Sequence, residues 1–127
     1  FKEDRNKMKI HQSAEDYLET ILLLKEKIGN VRSIDIVNHL NFSKPSVSVA
    51  MKNFRENGYI IMDENGYITL TESGFAIASK TYERHKILTQ FLIGIGVSEK
   101  VAREDACKIE HDISEETFSK LREHFDL

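Results

Sequence analysis

Six side chains in this sequence carry metal-type donor atoms at helical spacing. Asp16 and Glu19 stand three apart, His85 stands by itself, and Cys107, Glu110 and His111 follow at i, i+3 and i+4. Residues three or four apart share a helix face, so each group would present its donors together. Carboxylate, imidazole and thiolate drawn from facing helices are the donors with which helical bundles hold divalent transition metals. Each also has a plainer reading. Asp16, three residues after Ser13, fits the far half of a capping box. His85 shares a stripe with Leu88 and Leu92, as a core histidine would. Cys107 could be a small buried hydrophobe, and Glu110 and His111 a solvated pair.

The helical wheel favours the metal. Asp16 and Glu19 fall opposite the stripe of Leu18, Ile21 and Ile28, and so face away from that helix's core side. On the later helix the stripe is Ala102, Ala106, Ile109 and Ile113. Cys107 and Glu110 each lie one residue past a stripe member, on the border of the buried face.

A second chemistry lies between these groups. The segment from Ser43 to Arg55 reads as a helix that Ser43 caps, with Pro45 in its first turn, where its missing N–H costs nothing. Lys44, Ser46, Ser48, Val49, Lys52 and Arg55 fall on its outward side. Hydroxyls and amines at a helix start suit phosphate and base-edge contacts, and Lys52 or Arg55 suits the DNA backbone. An ordinary polar face is the alternative. With no Arg or Gln at the tip, shape and apolar contacts are expected to share in specificity.

The elements that must position these groups are legible as a series. A first helix runs from Ser13 to about Gly29 through Tyr17, Leu18, Ile21, Leu24 and Ile28. A second spans roughly Ser33 to Leu40, with Ile34, Val37 and Leu40 as its apolar side. The third is the Ser43-capped helix, buried through Val47, Met51 and Phe54 and stopped by Asn57-Gly58. Tyr59–Met62 and Tyr67–Leu70 flank Asp63-Glu64-Asn65-Gly66, a strong hairpin signal. Three helices and a hairpin, with helices two and three tightly joined, describe a winged helix-turn-helix, whose third helix enters the major groove. A fourth helix runs from Thr71 to about Ile93 through Phe75, Ala78, Tyr82, Leu88, Phe91 and Leu92. A fifth, capped by Ser98, extends to about Asp112. The sixth, capped by Ser114, passes through Phe118, Leu121 and Phe125. The expected architecture is mostly α: a winged helix-turn-helix over residues 1–71 and an all-helical metal-binding and dimerisation domain over 72–127.

Composition bounds the partners. At 127 residues and 31% charged, the chain can build one compact domain or two very small ones. No apolar stretch is long enough to span a membrane, and no secretory signal pattern opens the chain. Phe1 to Lys7 is a charged run that reads as an arm outside the fold. A lone Cys107 excludes an internal disulfide framework and fits a reducing cytoplasm. The net charge of −3 is unevenly spread. Through Thr71 there are 10 Lys and Arg against 10 Asp and Glu; from Glu72 onward there are 8 against 11. The acidity sits in the second half, which leaves room for a locally basic reading surface in the first.

Five segments together resemble the diphtheria toxin repressor family of metalloregulators, nearest its short manganese-type branch. They are Glu15-Asp16-Tyr17-Leu18-Glu19, Lys44-Pro45-Ser46-Val47-Ser48, Leu70-Thr71-Glu72-Ser73-Gly74, Arg84-His85 and Cys107-Lys108-Ile109-Glu110-His111. The resemblance implies a homodimer that, loaded with metal, binds palindromic double-stranded operators and represses metal-uptake genes. It places Asp16, Glu19, His85, Cys107, Glu110 and His111 at family ligand positions. Asp16 matches manganese-type members, where iron-type members carry methionine. Cys107 matches iron-type members, where manganese-type members carry glutamate. Carboxylates favour Mn²⁺ and a thiolate favours Fe²⁺, Co²⁺ or Zn²⁺, so this hybrid set implies Mn²⁺ or Fe²⁺ as effector, with Co²⁺ or Zn²⁺ able to substitute in vitro. Thr89 and Arg103, at the iron-type ancillary positions, are not ligands. The SH3-like third domain of the longer branch has no room in this chain.

The expected function is therefore metal-dependent regulation of transcription in the cytoplasm. Two rivals make different demands. A winged-helix regulator that senses a small organic molecule would leave the six donors incidental. An enzyme built on Cys107 and His111 would need an oxyanion loop or hydrolase motif, and none accompanies them.

Overall fold

The computed structural model describes the backbone of residues 2–125 and the side chains of residues 13–124. Among the described residues are six helices and one two-stranded sheet: α1 (Lys2–Ile28), α2 (Ser33–Leu40), α3 (Lys44–Glu56), β1 (Ile60–Met62), β2 (Ile68–Leu70), α4 (Glu72–Gly94), α5 (Glu99–Ile109) and α6 (Glu115–Phe125). By compactness the chain divides into one unit through Ser79 and a second from Lys80. The helix α4 begins in the first and continues into the second.

The first unit is the winged helix-turn-helix. Its core gathers Tyr17, Leu18, Ile21 and Leu24 of α1, Ile36 of α2, Val47, Met51 and Phe54 of α3, Ile60 and Ile68 of the hairpin and Ala78 of α4. Leu18, Ile21, Ile36 and Val47 are wholly buried, each contributing roughly 1.5–3 kcal/mol relative to exposure. Asn41 ends α2 in the left-handed conformation (φ 58°), its N–H bonded to the Val37 carbonyl, and this sharp exit delivers the chain to α3. Strands β1 and β2 pair antiparallel with Ile61 opposite Thr69. Val31 adds a bridge to Ile68, which ties the wing to the segment between α1 and α2.

The Leu70-Thr71-Glu72-Ser73-Gly74 segment is explained by the wing's base. Thr71 Oγ1 donates to the Gly58 carbonyl at 2.6 Å and accepts from the Gly74 N–H, so it caps α4 while clamping it to the end of α3. Ser73 Oγ donates to the same Gly58 carbonyl. A Cβ on Gly74 would stand 2.1 Å from the Tyr59 carbonyl oxygen, so glycine is required for backbone to meet backbone there.

In the second unit, Ala102 and Ala106 of α5, Phe118 of α6 and Ile87 and Leu88 of α4 are buried. Ser114 Oγ accepts from the Thr117 N–H and so caps α6.

Several local expectations shift. Ser13 does not start α1, because the helix runs unbroken from Lys2; the side chains of the Phe1–Lys7 arm lie outside the described residues. Ile28 is exposed at the last turn of α1, beyond the reach of the core. On α2 the buried residue is Ile36 rather than Ile34, since Ile36, Val37 and Leu40 fall on one side of so short a helix. Phe75 of α4 is exposed, and Ile87 takes a buried place on the same helix. Ser98 sits at the N-cap position of α5 but makes no side-chain capping bond. The side chain of Phe125 lies outside the described residues.

Candidate metal centre and nucleic-acid interface

The second unit brings three of the six donors together. α4 supplies His85, and α5 supplies Cys107 and, at its C-cap, Glu110. The helix ends at Ile109, earlier than the expected Asp112. Glu110 nevertheless keeps right-handed helical angles and bonds its N–H to the Ala106 carbonyl, so it holds the i+3 relation to Cys107. His111 follows in the turn that starts at Glu110.

His85 Nδ1 lies 3.0 Å from Glu110 Oε2 and 3.6 Å from Cys107 Sγ. The donor atoms of His85, Cys107 and Glu110 all lie within 4.8 Å of one another. Metal–ligand bonds of about 2.0–2.3 Å set donor-to-donor edges of roughly 3–3.6 Å around one ion, and the His85–Glu110 and His85–Cys107 separations fall in that range. The donor types fit too: one thiol, one imidazole and one carboxylate.

Burial differs sharply across the cluster. Glu110 is 1% exposed, His85 is part-buried and Cys107 is exposed. Glu110 is a polar side chain at core depth, and two imidazoles meet it there. His85 takes one carboxylate oxygen, and His111 Nε2 lies 3.3 Å from the other. A buried carboxylate persists only where partners offset its desolvation. The bonds from Cys107 and then Glu110 push the His85 pKa up to about 10, against a partial opposing effect of burial. Without an ion, His85 is therefore an imidazolium through neutral pH.

Arg84, next to His85 on α4, acts on the same turn from the main-chain side. Its guanidinium donates to the carbonyls of Glu110 (3.0 Å) and Ile113 (3.2 Å) and to Glu115 Oε1 (2.6 Å). In the sequence Arg84 stood only as the neighbour of His85. Its partners lie 26 to 31 residues away, and no spacing rule reaches them.

On α1, Glu19 is buried and Asp16 is half-buried, both within the first unit. Neither belongs to that unit's apolar cluster.

In the first unit, Ser43, Lys44, Pro45, Ser46, Ser48, Val49, Lys52 and Arg55 are all exposed. Val47, Met51 and Phe54 are buried on the other side of α3. Ser43 Oγ accepts from the Ser46 N–H at 3.2 Å and donates to Ser46 Oγ at 2.7 Å, which fixes the start of the helix.

Residues 9–69 match the family described as iron dependent repressor, N-terminal DNA binding domain. Residues 71–126 match iron dependent repressor, metal binding and dimerisation domain. The chain belongs to the iron-dependent repressor family. Among its relatives in this family is the transcriptional regulator MntR of Escherichia coli O6:H1, 37% identical over 85% of this chain and 70% of that protein. An HTH-type transcriptional regulator of Methanocaldococcus jannaschii is also 37% identical, over 87% of this chain and 90% of its own. Among solved structures, IdeR of T. acidophilum superposes with a TM-score of 0.79 at 28% identity, covering 89% of this chain and 54% of that one. A manganese-dependent transcriptional repressor in complex with manganese gives 0.81 at 25% identity, covering 87% and 51%. The chain spans about half the length of these solved relatives. Membership gives the chain the two domains of a family of metal-dependent transcription regulators, one for DNA binding and one for metal binding and dimerisation. Among the described residues no helix is long and apolar enough to cross a membrane.

Proposed function

We propose that this chain is a metal-activated repressor of metal-uptake genes, acting in the cytoplasm as a homodimer on a palindromic operator. The observation that carries the reading is the Glu110 carboxylate, buried to 1% and flanked by His85 and His111, with Cys107 Sγ beside His85. His85, Cys107, Glu110 and His111 supply donors from the second unit. Asp16 and Glu19 complete the set from the DNA-binding unit, on the strength of their family positions. The ion supplies the attraction that holds these anionic and imidazole donors as one shell.

An ion that drew donors from both units would fix the arrangement of the recognition helices, which in a dimer must meet successive major grooves. It would thereby favour the DNA-competent arrangement, and by linkage operator DNA would tighten metal binding to the same degree. Ser43, Lys44, Pro45, Ser46, Ser48, Lys52 and Arg55 form the reading face. Mn²⁺ or Fe²⁺ is the effector: the carboxylates suit the harder ion, and the exposed Cys107 thiol opens the set to Fe²⁺, Co²⁺ and Zn²⁺.

Anaerobic operator titrations with Mn²⁺, Fe²⁺ or Zn²⁺, each against a chelated control, test the proposal. Tighter binding in at least one metal-loaded sample is expected. Equal affinity with and without every ion would sink metal activation and favour a regulator that senses an organic ligand.

A further inference from the structure

Two adjacent residues of α4 grip the same glutamate by different ends. His85 engages the Glu110 carboxylate, and Arg84 engages the Glu110 main-chain carbonyl. The two grips differ in the donors they engage. An ion held here would draw on the His85 nitrogen and the Glu110 carboxylate oxygen, in place of the hydrogen bond between them. The Arg84 bond is made to the main-chain carbonyl, and so does not occupy either of those donors.

We propose that Arg84 is a positioning residue for the metal centre: it fixes the Glu110–Ile113 turn so that the Glu110 carboxylate stands ready beside His85 and Cys107. The proposal rests on the metal reading above. Three donated bonds converge from one guanidinium onto the end of α5 and the start of α6, at 2.6 to 3.2 Å. The planar fork of arginine meets such divergent acceptors with little further entropy loss, whereas a lysine has one nitrogen to offer. The Arg84 side chain is only 11% exposed and its guanidinium lies 5.2 Å from the Phe118 ring, so the fork has a packed support. The Glu115 carboxylate compensates its charge, and a cation beside it therefore meets less repulsion. Ligand-supporting contacts of this kind typically govern roughly 10–100-fold in metal affinity.

Arg122 offers a matched control. It also links α6 to α4, through an ion pair with Glu83, and lies over the same Phe118 ring. Those two contacts lie outside the Glu110–Ile113 turn.

The test compares wild type, Arg84→Met, Arg84→Lys and Arg122→Met in the full chain. Thermal unfolding under chelator reports folding, calorimetric titration reports Mn²⁺ affinity, and the Co²⁺ visible spectrum reports ligand geometry. Arg84→Met is expected to weaken Mn²⁺ binding about 10–100-fold and to alter the Co²⁺ bands, with Arg84→Lys between it and wild type. Arg122→Met is expected to keep the wild-type spectrum and affinity within a few-fold. Wild-type affinity and spectrum in a folded Arg84→Met would overturn the inference, as would an equal loss in Arg122→Met. Should Arg84→Met fail to fold, Arg84→Lys decides in the same way. A wild-type protein that binds no ion would instead overturn the metal reading itself.

Discussion

The two surfaces proposed to act in this chain, the α3 face and the donor cluster, are built on opposite principles. The reading face of α3 is exposed at every candidate position, from Ser43 to Arg55, and its side chains lean on little besides their own helix. The donor cluster is interlocked: Glu110 touches two histidines through its carboxylate and Arg84 through its carbonyl, and His85 touches Cys107 as well. The difference follows from what each must recognise. Operator DNA is large and brings its own shape, so a rigid helix with free side chains suffices. An ion brings no shape, and the protein must hold its donors in place beforehand.

If that contrast holds, a single change at the cluster should remove the metal response and leave the DNA-binding unit folded. Glu110→Gln is the sharpest such change. It keeps the volume of a fully buried side chain and one oxygen, and it removes the negative charge that attracts the ion. The expected loss of Mn²⁺ affinity exceeds the roughly 10–100-fold typical of supporting contacts. Circular dichroism should stay near wild type, and operator binding should become indifferent to metal. A Glu110→Gln protein that still tightens on its operator with Mn²⁺ would place the activating ion elsewhere.

The second break uses pH. His85 must lose its proton to bind an ion, and its pKa of about 10 without metal means that the ion displaces a proton at neutral pH. The His85 pairing, with a folded pKa raised above 6.5, stabilises the metal-free protein fully below pH 6.5 and less as pH rises through about 10. Metal affinity runs the other way and should climb with pH across that window. Calorimetry in two buffers of different ionisation enthalpy should show about one proton released per ion from this site, absent in His85→Gln. Proton release identical in both proteins would remove His85 from the ligand set.

The contrast also explains what the sequence could convey. The winged helix-turn-helix was legible because its signals are local: Ser43 before Pro45, Asn57-Gly58 after α3, and the Asn65-Gly66 turn between β-prone runs. Met51, Val47 and Phe54 announced their burial through helical period alone. Ile28 and Ile34 misled, because period marks an apolar side and cannot say where the core ends. At the donor cluster, Cys107, Glu110 and His111 were visible by spacing. The approach of His85 across 22 to 25 residues was reachable only through family resemblance. Arg84 stood in the same family segment, but its role did not show there, since two of its three acceptors are main-chain carbonyls, which no residue letter records.

The smallest expected effect lies on the reading face. Ser43 Oγ accepts the Ser46 N–H, one of the orphan donors at the start of α3, and aligns the Ser46 hydroxyl with its own. Ser43→Ala removes that acceptor and should cost about 1 kcal/mol of stability, within the 0.5–2 kcal/mol usual for a lost cap. Because Ser43 is exposed, water can replace part of the bond, and the cost should sit toward the lower end. Chemical denaturation measures it. Metal affinity should not change, because the side-chain bonds of Ser43 run to Ser46, which is not a metal donor. Operator affinity should fall modestly as the first turn of α3 frays, and equally for metal-loaded and metal-free protein. A selective loss in the metal-loaded form alone would mean that the ion's effect reaches α3 itself, and the separation between a free reading face and an interlocked donor cluster would have to be given up.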